Sequence, residues 1–320
     1  MTKNFESCPF LEKLNLKFVK VLQFNERKKS HILLVKKNKN EEAILKIISD
    51  DSDSKTKNSF KIESDFYNNV TNDNLLSTFM KNENYILFEK FLGTELSSFL
   101  QKDFSKNELE KLLEILFHAF DSFFLYETFS NKQKTSLIND SCSKFEDRLG
   151  NLLASGPKGT QNSKFEKFIL RQIFKFFSAK IKKFFFLISN EFVQNNFKII
   201  SKFGHNDLHC NNILIDDDLN VKIIDFENIS QPGFFLVDIL YFFGTFSAIC
   251  GQKKENRNVI QNSFLKYLAQ KTKIDKNLLT QLLNLFYFAA QSNSRFRFSN
   301  SISFLSMLNF IYSIFKLKFE

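Results

Sequence analysis

Apolar and polar positions alternate along the opening part of the chain. Leu16 to Gln23 reads as a strand, a polar turn follows at Asn25 to Ser30, and His31 to Lys36 reads as a second short strand. Asn38 to Glu42 turns the chain into a third strand, Ala43 to Ile48. The run Asp50 to Ser59 is polar, charged and Ser-rich, which predicts a flexible surface loop. Phe60, Phe66, Tyr67 and Val70 then fall at helical spacing and predict a short helix over Phe60 to Val70. Two more strand-like pieces, Leu75 to Met80 and Tyr85 to Phe91, precede a break at Gly93.

Beyond Gly93 the period becomes helical. Leu109 to Phe129, Ser141 to Leu153 and segments within Lys164 to Asn195 read as helices, with a loop at Ser155 to Ser163 that carries Gly156, Pro157 and Gly159. A strand-rich unit spans Ile199 to Ile229, and the remainder is helical. No internal repeat is present. A small sheet-rich part followed by a larger helical part containing a β-hairpin predicts an α+β fold of two lobes with a cleft between them. The expected division is 1–92 for the small lobe, an antiparallel sheet with one helix, and 93–320 for the mainly helical lobe.

Composition adds exclusions. The chain has 320 residues with 43% hydrophobic, enough to fold rather than stay disordered. Its 43 Phe and absence of Trp accompany abundant Lys, Ile and Asn, a general compositional bias that strips meaning from aromatic or lysine counts. The net charge of +10 comes from lysines spread along the chain, which reads as solvated faces. With no basic stripe or stacking motif, no nucleic-acid partner is expected. Cys8, Cys142, Cys210 and Cys250 form no C-x-x-C pair, so neither a zinc site nor a disulfide framework is expected. Free thiols suit a reducing cytoplasm. Thr2 to Ser7 is polar, with no apolar signal core. Phe234 to Cys250 is apolar but short and carries Asp238, and Phe304 to Phe315 is shorter still. Both read as buried core helices rather than membrane spans. The oligomeric state is left open.

The segment Lys202 to Glu227 carries the candidate chemistry. It holds His205-Asn206-Asp207, then Asn212, the apolar strand Ile213-Leu214-Ile215, an acidic turn at Asp216 to Asn220, the strand Val221 to Ile224, and Asp225-Phe226-Glu227. The two strands return Asn212 and Asp225 to the same end of a hairpin. An oxygen-only cluster of that kind suits Mg²⁺ with bound phosphates. Asp207, five residues before Asn212, is placed to orient and deprotonate an attacking hydroxyl.

The pattern H-x-D-x-x-x-x-N followed by I-D-F-E resembles the aminoglycoside phosphotransferase and choline/ethanolamine kinase superfamily, relatives of the protein kinases. His205-Asn206-Asp207-Leu208 is similar to the choline kinase branch, where Asn is common after His; the aminoglycoside branch more often has Gly. The resemblance implies a two-lobed protein-kinase-like fold and an ATP- and Mg²⁺-dependent kinase that acts on the hydroxyl of a small molecule. It implies Asp207 as catalytic base, Asn212 and Asp225 as Mg²⁺ ligands, and Glu227 as a second acidic group near the metal. His205 would brace the loop, and Asp238 would hydrogen-bond it from the following helix.

The same resemblance asks for a phosphate-binding Lys on the third strand. Lys46 in Ala43-Ile44-Leu45-Lys46 resembles the V-A-I-K of kinases, and Ile44 on the same face would roof the adenine. The carboxylate that holds this Lys would be Glu63, which shares a helical face with Phe60 and Tyr67, or its rival Asp65. Glu89 and Gly93 match the family's E-x-x-x-G linker, so backbone groups of Glu89 to Phe91 would meet the adenine edge. The turn Phe24 to Ser30 departs from the pattern in having no glycine, which leaves Ser30 and Lys28 as candidate phosphate contacts. The lack of Trp departs from the aromatic box of choline kinases, for which Phe286 and Tyr287 are substitutes. Arg295 and Arg297 nearby do not favour a cationic acceptor. An amino alcohol such as choline or ethanolamine comes first as acceptor, with a sugar or aminoglycoside hydroxyl next. A non-catalytic pseudokinase is the reading from another class, and the presence of Lys46, Asp207, Asn212 and Asp225 argues against it.

Overall fold

The fold is given by a computed structural model. It describes residues 9–26, 28–37, 41–70, 72–81, 84–124, 200–231, 233–251 and 254–291, with scattered positions between 140 and 186. In chain order the described elements begin with α1 (Pro9–Lys13), β1 (Lys17–Asn25), β2 (Ser30–Lys36), β3 (Glu42–Ile48), α2 (Ser54–Asn69), β4 (Thr78–Lys81) and β5 (Tyr85–Glu89). Next come β6 (Thr94–Glu95), α3 (Leu96–Phe99), α4 (Lys106–Phe123), β7 (Ile200–Ser201) and a 3₁₀ turn (Cys210–Asn212). They end with β8 (Ile213–Ile215), β9 (Val221–Ile223), β10 (Gly233–Phe234), α5 (Phe235–Cys250), α6 (Lys254–Thr272) and α7 (Lys276–Gln291). The chain divides into two compact units, Met1–Thr94 with Leu214–Ile229, and Glu95–Ile213 with Ser230–Glu320.

The first unit is built on an antiparallel sheet of order β1-β2-β3-β5-β4. Alternation along β3 sorts its side chains. Ala43 and Leu45 join Leu33, Val35, Tyr85 and Leu87 in a core closed by Leu11 and Leu16. Ile44 and Lys46 take the opposite face, Lys46 between Ile32 and Ile86 in register. The helix α2 is longer than its apolar spacing predicts. It starts at Ser54, inside the run expected to be a loop, because Asp53 caps it: Thr56 N–H donates to Asp53 Oδ1 at 2.6 Å. The polar residues of that run are the solvent side of an amphipathic helix whose buried side holds Phe60, Glu63, Ser64, Phe66 and Tyr67. The strand expected from Leu75 begins at Thr78, while Leu75 makes a parallel bridge to Ile223.

The hairpin β8–β9 contributes its Leu214–Ile229 part to this unit. Its turn is closed by Asp216, whose carboxylate accepts from Asn220 N–H at 2.8 Å and Asn220 Nδ2 at 2.9 Å. Lys222 Nζ donates to the carbonyls of Asp73 and Leu75 at 2.9 and 3.0 Å. Phe226 then packs on α2, 4.4 Å from the Phe66 ring centre and 5.5 Å from that of Tyr67. These contacts fix where the acidic residues on either side of Phe226 emerge.

In the second unit α4 opens on a capping box, with Ser105 and Glu108 satisfying each other's backbone N–H groups. It ends at Phe123, and the expected continuation over 125–129 lies outside the described residues. Helix α5 is buried along all sixteen residues, which explains an apolar stretch without a polar face. Among the described residues no helix is long and apolar enough to cross a membrane. Within Ser141 to Leu153 the described positions 142–147 and 149 are helical, as the period predicts. The rest of that segment, most of Lys164 to Asn195, all of Ser155 to Ser163, and Phe304 to Phe315, Arg295, Arg297 and Cys8 lie outside the described residues.

Candidate functional site

The first unit gathers one buried cation and three carboxylates. Lys46 lies only 8% exposed on β3, and Glu63, on the buried side of α2, is 1% exposed. Lys46 Nζ donates to Glu63 Oε2 at 2.6 Å and also lies 3.0 Å from Glu227 Oε1 and 3.4 Å from Asp225 Oδ1. Asp65, the rival partner, faces solvent. Burial opposes the charge on Lys46, but Glu63, Asp225 and Glu227 outweigh it and hold its pKa above the ordinary lysine value. Burial raises Glu63 above the usual carboxylate range against the pull of Lys46. Burial acts the same way on Glu227, where Lys46 and Lys28 overcome it and bring the group below that range.

Oxygen atoms of Glu63, Asp225 and Glu227 all lie within 4.8 Å of one another. Such an all-oxygen set suits a hard divalent cation. Asp225 has its backbone in the left-handed region, φ 66°, and a side chain 41% exposed. A non-glycine residue held there costs about 1 kcal/mol, and such positions cluster at functional sites. The packing of Phe226 between Phe66 and Tyr67 is what holds the backbone in place beside it.

The second unit braces a loop around Asp207. Asp238, in the first turn of α5 and 2% exposed, accepts from His205 N–H at 2.8 Å and Asn206 N–H at 2.9 Å. Asp207 N–H donates to His205 Nδ1 at 3.3 Å, so the buried imidazole fixes the backbone just before the carboxylate. Asn206 sits at φ 58°, and its Nδ2 donates to Gly204 O at 3.2 Å and Ser230 Oγ at 2.8 Å. Asn212 Nδ2 donates to Asp207 O at 2.9 Å, which turns the amide oxygen of Asn212 the other way as an acceptor. The loop can lie this close to β10 only because Gly233 has no side chain; a Cβ there would run into Gly204 N and the Phe203 carbonyl.

The remaining candidates are placed less directly. Ser30 opens β2, paired with Asn25 and Ile48. The Glu89 carboxylate accepts from Ser77 N–H at 3.0 Å and lies 3.4 Å from Lys222, so its side chain is engaged within the unit. Phe91 lies against Gly93, where a Cβ would come within 2.7 Å of Ile215 O. Phe286 is fully buried, and the Tyr287 ring faces Arg257 at 5.4 Å. Both are core residues of the helical unit, which argues against their use as an aromatic box.

Two residues of the loops carry more than the sequence pattern signalled. His209 Nδ1 accepts from Asn211 N–H at 3.2 Å, which leaves the ring proton on Nε2, 3.9 Å from Asp207 Oδ2. His209 follows Asp207 by two residues, and a loop has no periodicity to show which way a side chain turns. Lys28 Nζ is ion-paired with Glu227 Oε2, a partnership across 199 residues.

In its fold the chain is similar to aminoglycoside phosphotransferase APH(2'')-Ib, solved with ADP bound, at TM-score 0.51 and 15% identity over 98% of each chain. It is similar to choline kinase from Cryptosporidium parvum Iowa II at TM-score 0.51 and 14% identity, over 93% of this chain and 89% of that one. No protein-family model matches the sequence, and no curated protein does. With its five-stranded antiparallel sheet and larger helical part, the chain has the two-lobed kinase-like fold of the aminoglycoside phosphotransferases and choline kinases.

Proposed function

We propose that the chain is an ATP-dependent phosphotransferase that passes the γ-phosphoryl group to a hydroxyl of a small molecule. The observation that carries this reading is the buried Lys46–Glu63 pair at 2.6 Å with Asp225 and Glu227 beside it. A purely structural ion pair would be satisfied by one carboxylate. Three carboxylates around one lysine, one of them on a strained backbone, make a surplus of oxygen ligands that a metal–phosphate complex uses.

In this reading Lys46, held by Glu63, takes the α- and β-phosphates. Ile44 roofs the adenine, and backbone groups of Glu89 to Phe91 meet its edge, with Ser30 near the phosphates. Asp225 and Glu227 are the carboxylates assigned to Mg²⁺, and Asn212 offers its amide oxygen to the same kind of ion. Bound Mg²⁺ supplies charge neutralisation on the phosphate oxygens. The acceptor oxygen forms a new bond to phosphorus as the bond to the ADP oxygen breaks, and the acceptor proton passes to the Asp207 carboxylate. His205 and Asp238 act on Asp207 through the loop backbone. The three described cysteines, Cys142, Cys210 and Cys250, are free, in keeping with a cytoplasmic enzyme.

Asp207→Asn is expected to lower kcat by orders of magnitude while ATP affinity barely changes; unaltered turnover would refute the base assignment. An amino alcohol is the first acceptor to try, on the strength of Asn206 and the I-D-F-E segment, followed by a sugar or aminoglycoside. ATP turnover over a panel of both, with and without Mg²⁺, decides among them. Nucleotide binding without turnover on any acceptor would favour the pseudokinase reading.

A further inference from the structure

Lys28 sits in the β1–β2 turn, which contains no glycine. The turn is pinned from several directions. Lys28 N–H donates to Asn25 Oδ1 at 3.0 Å, Ser52 Oγ donates to Lys28 O at 3.0 Å, and Lys29, at φ 49°, pairs with Asp51 at 2.6 Å. The backbone of Lys28 is therefore fixed, whereas its side chain is 43% exposed and long enough to swing.

Its present partner is Glu227, and that carboxylate is shared. Oε2 takes Lys28 and Oε1 takes Lys46 at 3.0 Å. One anion thus engages Lys28 and Lys46 together. Glu63 and Asp225 add two more negative charges, so three carboxylates surround two ammonium groups. A polyanion that pairs with Lys28 or Lys46 has to displace Glu227 from them.

We propose that Glu227 is an internal competitor for nucleotide phosphate: it holds Lys28 and Lys46 until a divalent cation engages it, and Lys28 then becomes a phosphate anchor. This rests on the phosphotransferase reading above and adds a regulation to it. A glycine-rich turn would offer backbone N–H groups to phosphate; this turn offers an ammonium group in their place. Metal and triphosphate then bind with positive coupling, because the cation removes the carboxylate that competes for the lysines. Linkage makes the coupling reciprocal, so ATP must tighten the metal by the same factor.

The test is equilibrium binding of ATP and of adenosine to the full chain, with and without Mg²⁺, for the wild type, Lys28→Met and Glu227→Gln. Glu227→Gln is expected to bind ATP without Mg²⁺ about tenfold more tightly than the wild type does, the loss of one competing charge-assisted contact. Its ATP affinity should also respond less to Mg²⁺. Lys28→Met is expected to weaken ATP by about tenfold with Mg²⁺ present, again one charge-assisted contact, and to leave adenosine affinity unchanged. Retained adenosine binding also shows that each variant is folded. If Lys28→Met binds ATP like the wild type, or Glu227→Gln gains no metal-free affinity, the competitor role is wrong and the phosphotransferase reading stands. A wild type that binds no ATP under any condition overturns both.

Discussion

At the scale of single residues, the chemistry depends on which charges have partners. Lys46 is the only cation within hydrogen-bonding distance of Glu63 among the described contacts. Lys46→Met would leave a carboxylate that is 1% exposed without compensation, and breaking a buried pair from one side costs about 3–5 kcal/mol. The variant should also acquire a distinctive pH dependence. With Lys46 gone, burial raises Glu63 further, so the folded state binds a proton the unfolded state has released. Stability relative to wild type should then improve as pH falls from 7 to 5, by up to about 1.4 kcal/mol per unit in the steepest range. Urea denaturation of both proteins at the two pH values checks the sign. A second residue-scale expectation concerns His209, whose Nε2–H faces Asp207. His209→Ala should lower kcat without changing ATP affinity, and His209→Gln, which keeps an N–H donor, should recover part of the loss. Of these groups Asp207 and its neighbours were singled out in the sequence by the H-x-D-x-x-x-x-N spacing together with the family resemblance it carries. The orientation of His209 was not, since a rotamer in a loop is decided by its neighbours.

At the scale of elements, capping and side-chain parity explain what periodicity misses. The first six residues of α2, Ser54 to Ser59, carry no apolar stripe that would mark a helix, and they are helical because Asp53 caps them and Phe60 to Tyr67 anchors the rest. Asp53→Ala should destabilise the first unit by about 1 kcal/mol, the usual worth of a cap, and should loosen Glu63, two to three turns downstream. Hydrogen exchange of the α2 amides, compared with those of β3, would register the local part of that loss. The strands β1, β2, β3 and β5 were legible to within two residues because alternation is a local signal. The late start of β4 was not, because Leu75 pairs with Ile223 from the distant hairpin instead of with β5.

At the scale of the whole molecule, the expected consequence is linkage between ligand and stability. A ligand that binds only the folded chain stabilises it by about 2.7 kcal/mol at a hundred times its Kd. Mg²⁺ with ATP should therefore raise Tm more than the sum of the shifts each produces alone, and Asp225→Asn should remove most of the difference. A thermal melt with each ligand separately and together measures this directly, and additive shifts would contradict the coupling.

The sequence by itself determined the inventory: a sheet-rich opening, a helical remainder, a fully apolar α5, and Asp207, Asn212 and Asp225 at spacings set by a short hairpin. Those features are local, since alternation, helical period and loop length act within a few residues. The pairing of Lys46 with Glu63 and the hydrogen bonding of the loop by Asp238 were expected from the family resemblance and a shared helical face, and the structure supplies their geometry; tertiary structure alone decided that Glu227 joins Lys28 to Lys46. These pairings close across 17, 33 and 199 residues. The geometry of contacts at such separations depends on sheet register and helix packing, and a partnership such as Lys28 with Glu227 has no local pattern to announce it.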